Sequence, residues 1–209
     1  MVPRIKICGI TRAEDAHLAA DLGAWAVGFI FWPASGRSIE PQRARDIVRG
    51  LPPFVMPVGV FVNQPAADVE ETATFVRLGA VQLHGEEQPA MARALSHRVI
   101  KAVPLDAEGH ALGLDDWPDT LVLLDAHDTV RRGGTGRRID WNAAAAVART
   151  RPIVLAGGLT AENVGEAVAT VRPAAIDISS GVEAAPGLKD HTKMRALFAA
   201  IAAGAGGVQ

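Results

Sequence analysis

The sequence predicts a single-domain α/β protein, a closed (β/α)8 barrel of the TIM type, and three observations carry that prediction. Eight short apolar runs rich in β-branched residues alternate with longer stretches bearing helix start and stop residues. Spread over 209 residues, eight units take about 26 residues each, compact for a strand–helix repeat. Most runs are apolar throughout instead of alternating, as parallel strands covered on both faces must be. Eight such units in one domain close into a barrel more naturally than they spread into an open doubly wound sheet. The first run ends in Cys8-Gly9-Ile10-Thr11, without the glycine fingerprint that opens a dinucleotide-binding fold.

The predicted strands are Arg4–Cys8, Ala26–Ile30, Met56–Val62, Ala80–Leu83, Val99–Val103, Thr120–Asp125, Ile153–Ala156 and Ala175–Ser179. Helices are expected between them. Thr11 with Glu14 three residues on has the form of a capping box, and Gly23 stops the helix Ala16–Leu22. Pro41–Gly50, Pro65–Leu78, Glu87–Ser96, Trp141–Thr150 after Asp140, Ala161–Val171 after Thr160, and His191–Ala203 follow the same grammar, with proline near several starts. The segment Asp106–Asp119 carries glycines and Pro118 and predicts only a short or broken helix. Residues 1–209 form one domain, with a frayed tail expected from about Gly204.

Composition narrows the function classes. With 21 Lys+Arg against 23 Asp+Glu the formal charge is −2, which argues against a nucleic-acid or acidic-membrane partner and leaves anionic small molecules open. Cys8 is the one cysteine, so no internal disulfide forms and a reducing, cytoplasmic setting fits. No run reaches the ~18 apolar residues of a membrane span. His84, His127 and His191 lack metal-ligand spacing, so no metal is expected.

In a barrel of this kind chemistry sits at the C-terminal ends of the strands. The residues standing there are Cys8, Asp125, Gly157-Gly158 and Ser179-Ser180-Gly181, an acid and a thiol with a glycine-rich anion site between them. Residues of equal parity share a face, so Lys6 points with Cys8 and Asp177 with Ser179. Two charges directed into a barrel are costly unless paired, and Lys6 and Asp177 are therefore expected to meet inside it. The loops after the seventh and eighth strands are the usual phosphate site of such barrels, their N–H groups unobstructed by side chains. Arg37, after the second strand, has a guanidinium suited to clamping a carboxylate through two parallel bonds. His84 is expected to be a structural hydrogen-bonding residue, and Gly133-Gly134-Thr135-Gly136 a mobile cover over the substrate.

With these residues in place, the chain resembles the phosphoribosylanthranilate isomerase family of tryptophan biosynthesis, nearly end to end. The blocks that carry the resemblance, in the family's order, are Lys6-Ile7-Cys8-Gly9-Ile10-Thr11, Gln82-Leu83-His84-Gly85, Leu124-Asp125 with Gly133-Gly134-Thr135-Gly136, Ala156-Gly157-Gly158-Leu159 and Asp177-Ile178-Ser179-Ser180-Gly181-Val182-Glu183. Departures fall in the variable stretches Asp106–Asp119 and His127–Arg132. The resemblance implies an Amadori rearrangement of N-(5-phosphoribosyl)anthranilate to 1-(2-carboxyphenylamino)-1-deoxyribulose 5-phosphate, without metal or organic cofactor. It implies Cys8 as general base, Asp125 as general acid, Arg37 on the anthranilate carboxylate, and Gly157, Gly158, Ser180 and Gly181 on the phosphate. The expected partner is that small molecule alone, and the expected state a monomer. A related aminoaldose isomerase of histidine biosynthesis uses two aspartates, and Cys8 argues against it; a phosphate-binding scaffold would need neither Cys8 nor Asp125.

Overall fold

The computed structural model describes residues 3–106, 108–126 and 140–206. Eight parallel strands close into a barrel in sequence order: β1 (Arg4–Cys8), β2 (Ala26–Ile30), β3 (Met56–Phe61), β4 (Ala80–Leu83), β5 (Arg98–Leu105), β6 (Leu121–Ala126), β7 (Ile153–Leu155) and β8 (Ala175–Ile178). The helices are α1 (Ala13–Asp21), α2 (Pro41–Arg49), α3 (Ala66–Val76), α4 (Pro89–Ala94), α5 (Trp141–Ala148), α6 (Val164–Val171) and α7 (His191–Gly206). All eight predicted strands are present, with ends displaced by at most two residues.

The two-sided burial of the strands divides the core. Ala26, Val58, Ala80, Ile100, Leu123, Val154 and Ala156 fill the barrel, while a larger set including Ile7, Phe29, Val81, Leu124 and Ile176 packs between sheet and helices. Small residues dominate the interior because eight strands leave room for little else. Closure pairs β1 with β8 so that Lys6 lies beside Asp177 in register, and neighbours in register share a face. Their side chains form the expected buried ion pair, Nζ to Oδ2 at 2.9 Å.

Several local expectations are corrected. The Thr11/Glu14 capping box does not form: the N-cap of α1 is Arg12, without a side-chain cap, and the Thr11 hydroxyl donates to the Gly187 carbonyl instead. A long-range partner outcompetes the local one. Gly23 does end α1, at φ +95°. Helix α6 begins at Val164 instead of Ala161, because the Asn163 side chain accepts from the Thr160 N–H and donates to the Gly158 carbonyl, holding the preceding loop out of the helix. The fifth unit agrees with the expectation of a short or broken helix: its described residues form a 3-10 turn, Leu114–Asp116, anchored by buried Trp117 and by Arg151 bonding the Trp117 carbonyl. Helix α7 runs to Gly206 instead of stopping at Ala203; the alanines around Gly204 sustain it, since one glycine costs only about 1 kcal/mol. A hairpin not anticipated, β9 (Glu183–Ala185) with β10 (Leu188–Lys189), follows the eighth strand and turns at Pro186-Gly187. No helix among the described residues is long and apolar enough to cross a membrane.

Candidate active site

A cavity of about 490 Å³ opens at the C-terminal ends of the strands. Its floor and walls include Cys8, Gln82, His84, Asp125 and Asp177, with Arg37 at one side and Gly157, Gly158, Ser180 and Gly181 at another. The strand-end residues singled out from sequence are therefore brought to one place. The Gly133–Gly136 segment lies outside the described residues.

Cys8 is buried and reduced. An added Cβ on Gly28, on the neighbouring strand, would lie 2.8 Å from Cys8 Sγ and 3.1 Å from Lys6 Nζ, so thiol and ammonium share the space that glycine leaves open. Burial pushes the Cys8 thiol up, and Lys6 opposes that push without overcoming it. Lys6 is itself disfavoured by burial, but Asp177 and Cys8 outweigh this and hold its ammonium above the ordinary value. Burial outweighs charge at the thiol, because Asp177 already engages much of the Lys6 charge.

Asp125, at the end of β6, is buried, and its Oδ2 lies 3.4 Å from His84 Nε2. His84 Nδ1 is 2.9 Å from the Gln82 amide nitrogen, which as donor leaves the ring proton on Nε2, toward Asp125. Sequence reading treated His84 as structural, and the structure brings it to the proposed acid. Its loop is built from below: Lys101 Nζ donates to the Gly85 carbonyl at 2.6 Å and to Glu87 at 2.7 Å, while Glu87 accepts from the Asn63 and Gly85 N–H groups. Burial works against the Glu87 carboxylate, but Lys101 prevails and its pKa lies below the usual range. These buried charges were missed because a lone Lys101 in an apolar strand gives no sign of its partner.

Gly157 and Gly158 both have positive φ, +87° and +64°, a backbone that favours glycine and leaves their N–H groups unobstructed by side chains. Gly181 is required for another reason. A Cβ there would lie 1.8 Å from the Leu159 carbonyl oxygen, so only glycine lets the two loops approach. Gly181→Ala is expected to weaken inorganic phosphate binding and to lower stability by about 1–3 kcal/mol, the usual cost of overpacking. Phosphate titration and thermal melting of this variant check both; a wild-type phosphate affinity would separate the loop from the anion site.

Arg37 is placed differently from expectation. Its two-pronged grip closes on Glu183 of the same chain: Nε reaches Oε1 and Oε2 at 2.9 and 3.1 Å, and Nη2 reaches Oε2 at 2.7 Å. This pairing engages Nε and Nη2 of the guanidinium at the side of the cavity. Glu183 also accepts from Lys189 Nζ at 2.9 Å. The sequence shows Glu183 only as the end of the eighth-strand block and gives Lys189 no role; the Pro186-Gly187 turn between them is the available signal. Among the described residues no cluster of His, Cys, Asp or Glu has the makings of a metal site.

Residues 5–200 match the family model for N-(5'phosphoribosyl)anthranilate (PRA) isomerase. The isomerase of Pelobacter propionicus is 48% identical over 192 residues, covering 92% of each chain. The crystal structure of phosphoribosyl anthranilate isomerase from Thermus thermophilus superposes with a TM-score of 0.88 at 46% identity, over 96% of this chain and 98% of that one. A second isomerase structure, solved in complex with reduced 1-(o-carboxyphenylamino)-1-deoxyribulose 5-phosphate, gives 0.87 at 42% identity, over 96% and 99%. Fold and sequence agree over nearly the whole length: the chain belongs to the N-(5'-phosphoribosyl)anthranilate isomerase family.

Proposed function

We infer that this chain isomerises N-(5-phosphoribosyl)anthranilate to 1-(2-carboxyphenylamino)-1-deoxyribulose 5-phosphate. The observation that carries the reading is one cavity that unites a buried thiol, a buried carboxyl group and a double-glycine loop on a single barrel. The ribose phosphate seats on Gly157, Gly158, Ser180 and Gly181, and the anthranilate carboxylate on the free N–H groups of Arg37. Held at both ends, the sugar places its ring oxygen toward Asp125 and C2′ toward Cys8.

Asp125 protonates the ring oxygen, the ring opens, and the amine nitrogen becomes a cationic imine. That charge acidifies the C2′ proton, which Cys8 removes as a thiolate; the resulting enolamine then tautomerises to the ketose. Lys6 supports the thiolate, and Asp177 holds Lys6 in place. The Asp177 Oδ1 and Ser179 Oγ atoms are buried without hydrogen-bond partners among the described residues, which suits them to the sugar hydroxyls. In this reading the protein works as a monomer on its small-molecule substrate, and the acid–base steps draw on these side chains without a metal or organic cofactor.

Fluorescence-detected turnover of phosphoribosylanthranilate generated in situ tests the reading, with the bisphosphorylated histidine-pathway aminoaldose in parallel. Turnover of the first alone is expected. Turnover of neither would overturn the assignment.

A further inference from the structure

Arg37 presents a physical problem that its neighbours solve. An arginine already paired with a carboxylate is nearly neutral as a unit, and a second carboxylate approaching it meets the first one's charge. Glu183 grips Arg37 through both oxygens, so alone it would cancel the attraction on which an anionic ligand depends. Lys189 changes the balance. Its ammonium has no exposed surface, lies 2.9 Å from Glu183 Oε1, and has the Ser179 carbonyl at 3.2 Å as a further acceptor. Two cations thus share one carboxylate, and the cluster keeps one net positive charge at the edge of the cavity.

We propose that Lys189 is a positioning residue acting through Glu183: it offsets the Glu183 charge so that Arg37, while held rigidly, still attracts the carboxylate of the substrate. This rests on the reading that Arg37 receives that carboxylate. Rigidity has a visible source. The Arg37 stem crosses Gly9, where an added Cβ would lie 2.8 Å from Arg37 Cδ, and the Gly187 N–H also donates to Glu183 at 3.3 Å. A buried lysine is costly unless its charge is used, and here burial draws its ammonium down against the pull of Glu183. The sharing makes a specific demand: removing Lys189 alone harms carboxylate binding, and removing Glu183 with it undoes the harm.

The test uses two ligands, reduced 1-(o-carboxyphenylamino)-1-deoxyribulose 5-phosphate and the same molecule without the ring carboxylate, titrated calorimetrically. Lys189→Met is expected to weaken the first about tenfold, the scale of one charge-assisted contact, and the second less than about twofold. Lys189→Arg and the double variant Lys189→Met with Glu183→Gln are expected to regain most of the loss. Glu183→Gln alone, which leaves both cations, binds the carboxylate ligand at least as tightly as wild type, and it decides the matter should Lys189→Met fail to fold. Equal losses for both ligands, additive losses in the double variant, or weaker carboxylate binding by Glu183→Gln would each overturn the proposal. Arg37→Ala separates the two levels: if it does not discriminate between the ligands, the carboxylate site itself is misplaced.

Discussion

Cys8→Ala is expected to lower kcat by about 10²–10⁴-fold, the range for loss of a general base, while the reduced product analogue still binds. The fold is expected to tolerate the change because Lys6 keeps its Asp177 partner and alanine suits an interior already lined with small residues. The pH profile of kcat/KM in the wild type supplies an independent check, because it reports the free enzyme. Only the thiolate accepts a proton, and burial holds the Cys8 thiol above its ordinary value. Activity is therefore expected to rise with pH through an ionisation above the usual thiol range, and to fall as the pH drops below it. Lys6→Met removes the stronger of the two cations, Lys6 and Lys189, that oppose burial and is expected to move this limb further up. A Cys8→Ala enzyme with near-normal kcat, or a Lys6→Met profile shifted downward, would discard Cys8 as the base.

The same pair shows how far sequence reasoning reaches in this chain. Parity along a strand is a geometric fact of the pleat, so Lys6 and Cys8 were bound to share a face, and closure of an eight-stranded sheet brought Asp177 beside them. Strand-end chemistry is legible on the same grounds, since it depends only on where apolar runs stop. What stayed hidden depends on partners far along the chain. Thr11 looks like a helix cap until the hairpin supplies Gly187, 176 residues away; Arg37 looks like an open clamp until Glu183 fills it. Lys101 lies within a predicted strand and Glu87 at a predicted helix start, with nothing to join them, yet they meet beneath the His84 loop with side chains 6% and 1% exposed. Local propensity describes one element at a time, and each of these contacts joins two.

Asp125→Asn is expected to remove a comparable share of kcat, about 10²–10⁴-fold, for a reason separable from binding. Asparagine keeps the size of the side chain and a hydrogen-bonding oxygen, so the buried end of β6 has no cause to rearrange, but its amide has no proton to give to the ribose oxygen. Ring opening then stalls before Cys8 has an imine on which to act. His84 makes the assignment sharp, because its Nε2 lies 3.4 Å from Asp125 and an imidazole is also a competent acid. Were His84 the donor and Asp125 its support, His84→Gln would cost as much as Asp125→Asn. With Asp125 as the donor, His84→Gln leaves the carboxyl group in place and is expected to cost clearly less. Single-turnover kinetics on both variants, beside titration of the reduced product analogue, decide between them. Equal losses would move the acid to His84, and a near-normal kcat in Asp125→Asn would remove Asp125 from the reaction.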